Sequence, residues 1–277
     1  MKNIPHLDAA AVLKRFGLRA DKSLGQNFLQ DDFALESIVN AAQIQPTDSV
    51  LEIGPGLGSL TRHLAASARE VVAVELDSRL IQPLQAILTP NRNVRVVQGD
   101  ILKLAPHELI AEQDYIVVAN IPYYITSAVI RHLLESKVKP RRVVLTIQKE
   151  VAQRICAKPG DMSLLALSVQ IYGEPRIAER ISAEAFFPKP KVDSAVLCVD
   201  IYPSPRVEPE LLETFFKLTK AGFSQKRKTL RNSLSAGLHI SPAQAEDLLG
   251  QANIESRRRA ETLSIEEWEA LCRLYNM

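Results

Sequence analysis

"LEIGPGLGSLT", residues 51–61, closes an apolar run, passes through three glycines spaced two apart and opens into an amphipathic stretch. Such a passage reads as the end of a strand, a tight turn and the start of a helix. Gly54, Gly56 and Gly58 fall in the turn, where glycine permits positive φ and lets a ligand approach the backbone closely. Working outward, "SVLEIG" (49–54), "EVVAVEL" (70–76), "VRVVQGD" (94–100), "YIVVANI" (115–121) and "RVVLTIQ" (142–148) read as five strands. Helical patterns such as "SLTRHLAAS" (59–67) and "SRLIQPLQAIL" (78–88) separate them. Strands that are apolar throughout, each followed by a helix, predict a parallel sheet covered on both faces. Two further runs, "RIAERIS" (176–182) and "SAVLCVDIY" (194–202), have no helix between them and predict an antiparallel far edge. The expected fold is therefore α/β and Rossmann-like, with a mostly parallel seven-stranded sheet.

"YPSPRVEP" (202–209) stops the sheet pattern with three prolines, and every later pattern is helical. The chain is thus expected to divide into residues 1–204, including an N-terminal segment 1–30, and an all-helical domain 205–277. Thirty-four Lys and Arg against 32 Asp and Glu leave a net charge of only +2, so any charged partner must be read from local distribution. Cys156, Cys198 and Cys272 are scattered without C-x-x-C spacing, and the five histidines form no H-E-x-x-H. No disulfide framework and no metal site are expected, and a reducing cytoplasm fits. The longest uncharged run, Tyr115 to Ile130, is too short and too polar to span a membrane. A soluble monomer without membrane contact is the expectation.

Glu75 ends the second strand of the sheet, where its carboxylate can accept both ribose hydroxyls of an adenosine-containing cofactor. Dinucleotide sites use the same logic, so these residues leave NAD and S-adenosylmethionine both open; the G-x-G-x-G spacing, unlike G-x-G-x-x-G, favours the latter. Asp100 ends the third strand and can accept from an adenine amino group or, equally, cap a helix.

"NIPYY" (120–124) delivers Asn120 to the same carboxyl edge. The exocyclic amine of adenine is a poor nucleophile because its lone pair is delocalised into the ring. Two acceptors, the Asn120 side-chain oxygen and the Ile121 carbonyl, can hold its hydrogens and turn the lone pair outward. Pro122 restricts Ile121 to an extended conformation and so fixes that carbonyl. Tyr123 offers a ring face to the base, a contact worth about 1–3 kcal/mol. The bland alternative is an Asn-x-Pro turn with core tyrosines; the upstream glycine turn favours the chemical reading.

With these motifs in place, the chain resembles the small-subunit (16S) rRNA adenine N6,N6-dimethyltransferase family of class I methyltransferases. "KSLGQNFL" (22–29), "FFPKPKVDSAV" (186–196), "AGFSQKRKTLRNSL" (221–234) and "RRAETLSIEEWEAL" (258–271) extend the resemblance from about Arg19 to the C-terminus. It implies S-adenosylmethionine as cofactor, with contacts from Asn27, Leu29, Gly54, Gly56, Glu75, Asp100 and Asn120. It also implies that Phe186 stacks the target base opposite Tyr123. The implied reaction places two methyls on each of two adjacent adenosines in the 3′-terminal hairpin loop of 16S rRNA, within the small subunit or its precursor. Two departures stand out: Ile121 where Leu is common, and Tyr124 where bacterial members usually carry Asn.

From Thr214 to Ala245 there is no acidic residue, while Lys226, Arg227, Lys228 and Arg231 cluster there and suit RNA phosphates. Large-subunit rRNA methylation and an assembly factor acting mainly by binding are the alternative readings. An adenine-N6 DNA methyltransferase lacks a visible sequence-reading domain, and a dehydrogenase lacks a hydride-transfer acid or base.

Overall fold

The computed structural model describes residues 4–110 and 114–275. By internal packing the chain forms two units, Met1–Ala152 with Pro175–Ile201 and Gln153–Glu174 with Tyr202–Met277. The break between Ile201 and Tyr202 lies close to the expected division at residue 204, and the second unit also takes in residues 153–174. Residues 153–174 pack with the helical C-terminal part although residues 175–201 of the first unit follow them in sequence.

The strands are β1 (Phe28–Leu29), β2 (Ser49–Ile53), β3 (Glu70–Glu75), β4 (Val94–Gln98), β5 (Tyr115–Asn120), β6 (Arg142–Gln148), β7 (Gly173–Ile181), β8 (Phe186–Phe187) and β9 (Ser194–Ile201). Seven of them form one sheet in the order β4-β3-β2-β5-β6-β9-β7, and β1 pairs with β8 in a two-stranded ribbon. The pairs from β4 through β6 are parallel, and β9 runs antiparallel to β6. The mostly parallel seven-stranded sheet with an antiparallel edge is as the pattern of runs predicts. The stretch between β7 and β9 is no simple hairpin, because it carries the short strand β8.

In the first unit the helices are α1 (Ala9–Arg15), α2 (Asp32–Ala42), α3 (Ser59–Ser67), α4 (Ser78–Leu88), α5 (Pro106–Leu109) and α6 (Thr126–Leu134). Leu35 and Ile38 of α2 and Leu64 of α3 join Val50, Ile116, Val118, Val144 and Val196 in one buried cluster. The alternating neighbours Leu51, Val72, Val117 and Leu145 are also fully buried, so both sheet faces are covered. That double covering explains why the strands lack polar alternation.

Strand order reverses beside β2, whose flanking neighbours are β3 and β5. Crevices at such switch points, beyond the carboxyl ends of the strands, are where open α/β sheets bind ligands. Register places Ile53 opposite Ala119, so the glycine turn after β2 and Asn120 at the end of β5 emerge together.

The second unit contains α7 in part (Lys149–Ile155), α8 (Leu164–Gln170), α9 (Leu212–Phe223), α10 (Leu230–Leu238), α11 (Pro242–Gln251) and α12 (Ile265–Tyr275). Phe215, Leu218, Leu234, Leu249 and Trp268 form its buried interior. A Cβ at Gly222 would lie 2.4 Å from the Trp268 ring, so only glycine lets α9 approach that indole. No helix among the described residues is long and apolar enough to cross a membrane.

Candidate active site

The glycine turn begins with Gly54, whose N–H donates to the Val74 carbonyl at 2.9 Å. Gly54, Gly56 and Gly58 all have positive φ, at 68°, 57° and 85°. A Cβ on Gly56 would also sit 3.0 Å from the Phe28 ring, so the position needs glycine twice over. The turn then runs into α3, whose first turn follows Gly58.

Glu75 closes this turn from the neighbouring strand. One carboxylate oxygen accepts from the Gly56 N–H at 3.0 Å and the other from the Asp77 N–H at 2.8 Å. The side chain is buried, and desolvation raises its pKa while those backbone donors pull it back. Each oxygen keeps a further lone pair, so the carboxylate can still accept hydroxyl donors. Asp77, lowered chiefly by Arg79 beside it, also accepts from the Gln26 side-chain amide at 2.8 Å. Gln26 in turn accepts from the Asp21 N–H at 2.8 Å, which pins residues 21–27 to the end of β3.

The pinned segment reaches Asn120. The Asn120 Nδ2 donates to the Asn27 carbonyl at 3.1 Å, leaving Oδ1 as the end of the amide that can accept from a ligand. Pro122 has φ −56° and ψ 134°, and none of the described turns or caps uses the Ile121 carbonyl. Tyr123 opens a 3-10 turn, and its hydroxyl shares a 2.7 Å hydrogen bond with Ser194 at the start of β9. Its pKa is raised, mainly by burial.

Asn27, Gly54, Gly56, Glu75, Asp100, Asn120, Ile121, Pro122, Tyr123 and Phe186 all line one cleft of about 860 Å³, counting the solvent at its mouth. Leu29 does not line it; its side chain lies in the core and its backbone pairs with Phe186. Phe186 is both buried and cleft-lining, so it forms part of the wall. Asp100 accepts from the Leu102 N–H at 3.0 Å, closing a local turn while still facing the cleft. Leu76, Leu80 and Ile101 add an apolar lining that no motif announces. Their signal was positional: two directly follow the acidic strand-end residues.

In the second unit, Lys226, Arg227 and Lys228 lie exposed in the turn between α9 and α10. Arg231, whose side chain is partly exposed, pairs with the exposed Glu246 at 3.2 Å. Glu246 is the first acid beyond the uncharged-to-basic run and folds back onto it. The Leu230 N–H donates to the Arg258 carbonyl at 2.7 Å, bringing a second basic run, residues 257–259, beside the first. Arg258 itself is engaged by Glu267. Among the described residues no group of three or more His, Cys, Asp or Glu is placed to hold a metal ion.

A glycine turn closed by a strand-end carboxylate, with an Asn-Ile-Pro-Tyr segment at the switch point of a mostly parallel sheet, defines a Rossmann-like methyltransferase. Solved structures agree: the 23S rRNA methyltransferase ErmE is 30% identical with a TM-score of 0.72 over 91% of this chain and 100% of its own. A dimethyladenosine transferase from Plasmodium falciparum is 26% identical with a TM-score of 0.76, covering 90% of this chain and 97% of its own. The chain belongs to the ribosomal RNA adenine dimethylase family, whose model matches residues 17–271. Among its relatives, the "ribosomal RNA small subunit methyltransferase A" of Dehalococcoides mccartyi strain CBDB1 is 46% identical, across 99% of this chain and 98% of the relative. The protein of the same name from Alkaliphilus metalliredigens is 44% identical, across 94% and 93% respectively.

Proposed function

We propose that this chain dimethylates N6 of two adjacent adenosines in the 3′-terminal hairpin loop of 16S rRNA during small-subunit maturation in the cytoplasm. The observation that carries the chemistry is the Asn120–Asn27 hydrogen bond, which leaves the amide oxygen of Asn120 to accept from an adenine amine. The relatives named for the small subunit, matched over nearly their whole length, favour that target over the large subunit.

The residues fit S-adenosylmethionine. Glu75 retains acceptor capacity for ribose hydroxyls, and Leu76 and Ile101 supply apolar faces for a purine. Asp100 can accept from its amino group. Gly54 leaves room beside Asn120, since a Cβ there would meet only the Asn120 carbonyl, at 3.8 Å. When bound, this cofactor supplies an electrophilic methyl on a sulfonium.

The chain's own residues do the rest. Asn120 Oδ1 and the Ile121 carbonyl accept the two amine hydrogens, which turns the nitrogen lone pair toward the methyl. Tyr123 holds the base from one face, its ring steadied by Ser194, and Phe186 forms the wall behind. Positioning and water exclusion lower the barrier without a strong base, and the amine proton leaves after transfer. A loop adenosine suits this cleft because an unpaired base costs less to extrude than a stacked one. Lys226, Arg227 and Lys228 would grip phosphates.

Two methyl groups on N6 remove both amine hydrogens and block pairing, so a reverse transcriptase halts there. Primer extension through the 16S 3′ loop in cells with and without this gene tests the assignment. A halt at two adjacent adenosines that vanishes without the gene is expected. A halt that persists without it would contradict the assignment.

A further inference from the structure

Resting on that reading, we propose that Tyr124 is a stacking platform for the nucleotide next to the target adenosine, with Lys22 holding that nucleotide's phosphate. Tyr124 lines the cleft together with Tyr123, and 63% of it is exposed. It is held in place all the same. Gly25 has φ 63°, and a Cβ there would lie 3.2 Å from Pro122 and 3.4 Å from the Tyr124 ring. The segment 21–27 therefore braces the ring from one side and leaves the remainder to solvent.

Lys22 sits in that same bracing turn, its carbonyl accepting from the Gly25 N–H at 3.1 Å. Its side chain is exposed and enters no ion pair among the described residues. A flat, largely exposed ring lining the cleft, with an ammonium carried on the turn that braces it, matches the chemistry of one nucleotide, a π-face plus a phosphate. Both tyrosines line the same cleft, so the occupant assigned to Tyr124 is the base that neighbours the target in the same strand. For two adjacent adenosines, that neighbour is itself the other substrate.

The test measures steady-state methyl transfer to unmodified small subunits by Y124F, Y124W, Y124A and Y124L. Removing the ring should raise KM roughly 5- to 100-fold in the Ala and Leu variants, with kcat at saturation changed far less. Phe and Trp, which keep a π-face, should restore KM to near wild type. Leu separates stacking from bulk apolar contact and carries the test if the Ala variant loses its thermal transition. Lys22→Gln should lower the slope of log affinity against log salt by about one.

Unchanged KM in all four Tyr124 variants, or Phe and Trp as impaired as Ala, overturns the platform. An unchanged slope in the Lys22 variant overturns the phosphate contact. Wild-type enzyme with no transfer to small subunits would instead sink the target assignment, and this inference with it.

Discussion

At the scale of single residues, the decisive contact is between Asn120 and the carbonyl of Asn27, 93 positions apart. Asn120→Ala removes the amine acceptor, and its rate of methyl transfer should fall by about 100-fold or more, as when one preorganised hydrogen-bonding group is lost elsewhere. Cofactor affinity, measured by calorimetry, should change far less; near-normal turnover would end the role assigned to Asn120. Tyr123→Phe keeps the ring but loses the bond to Ser194, worth about 1 kcal/mol, so kcat should drop by less than about tenfold. Tyr123→Ala should cost more, and equal losses in both would move the role from the ring to the hydroxyl. That Asn120, Glu75 and Tyr123 meet at one cleft was legible because each ends or follows an apolar strand. Their partners were not, since nothing local to Asn27, Gln26 or Ser194 tells which distant chain segment they meet. The pairing of Arg231 with Glu246 was equally invisible, because the acid lies 15 positions on, beyond the stretch without acidic residues.

At the scale of elements, the turn after β2 depends on glycine for both conformation and space. Gly56→Ala would combine a left-handed backbone, costing about 1–2 kcal/mol for an ordinary residue, with contact against Phe28 at 3.0 Å. The thermal midpoint should fall by several degrees and cofactor affinity with it, because the Gly56 N–H also positions Glu75. An unaltered midpoint would show that the turn relaxes freely. The long elements were readable: α3 and α4 occupy the residues their apolar spacing indicates. The ribbon of β1 and β8 was not, because a strand of two residues has no periodicity to detect. Nor could pattern alone show that residues 153–174 pack with the C-terminal helices, a matter of which apolar faces meet.

At the scale of the whole molecule, burial sets a pH dependence. Glu52 on β2 is fully buried, and desolvation pushes its pKa up from 4.5 to about 8, with Glu75 nearby adding in the same direction. The folded state then holds a proton that the unfolded chain releases, so this group favours folding below 4.5 and progressively loses that contribution as pH rises through about 8. Glu52→Gln should flatten the decline of the unfolding midpoint across that window; an identical decline in the variant would assign it to other groups. Fold class and the sheet edge that carries the cleft followed from the succession of apolar runs and intervening helices, whereas the spatial order of the strands did not. The measurement that bears most directly on the account is methyl incorporation from labelled S-adenosylmethionine into small subunits lacking the 3′-loop modification. Large subunits, duplex DNA and already modified small subunits would run beside them. Label confined to the unmodified small subunit and recovered as N6,N6-dimethyladenosine is the predicted result. Label in large subunits or DNA, or none anywhere with cofactor bound, would contradict it.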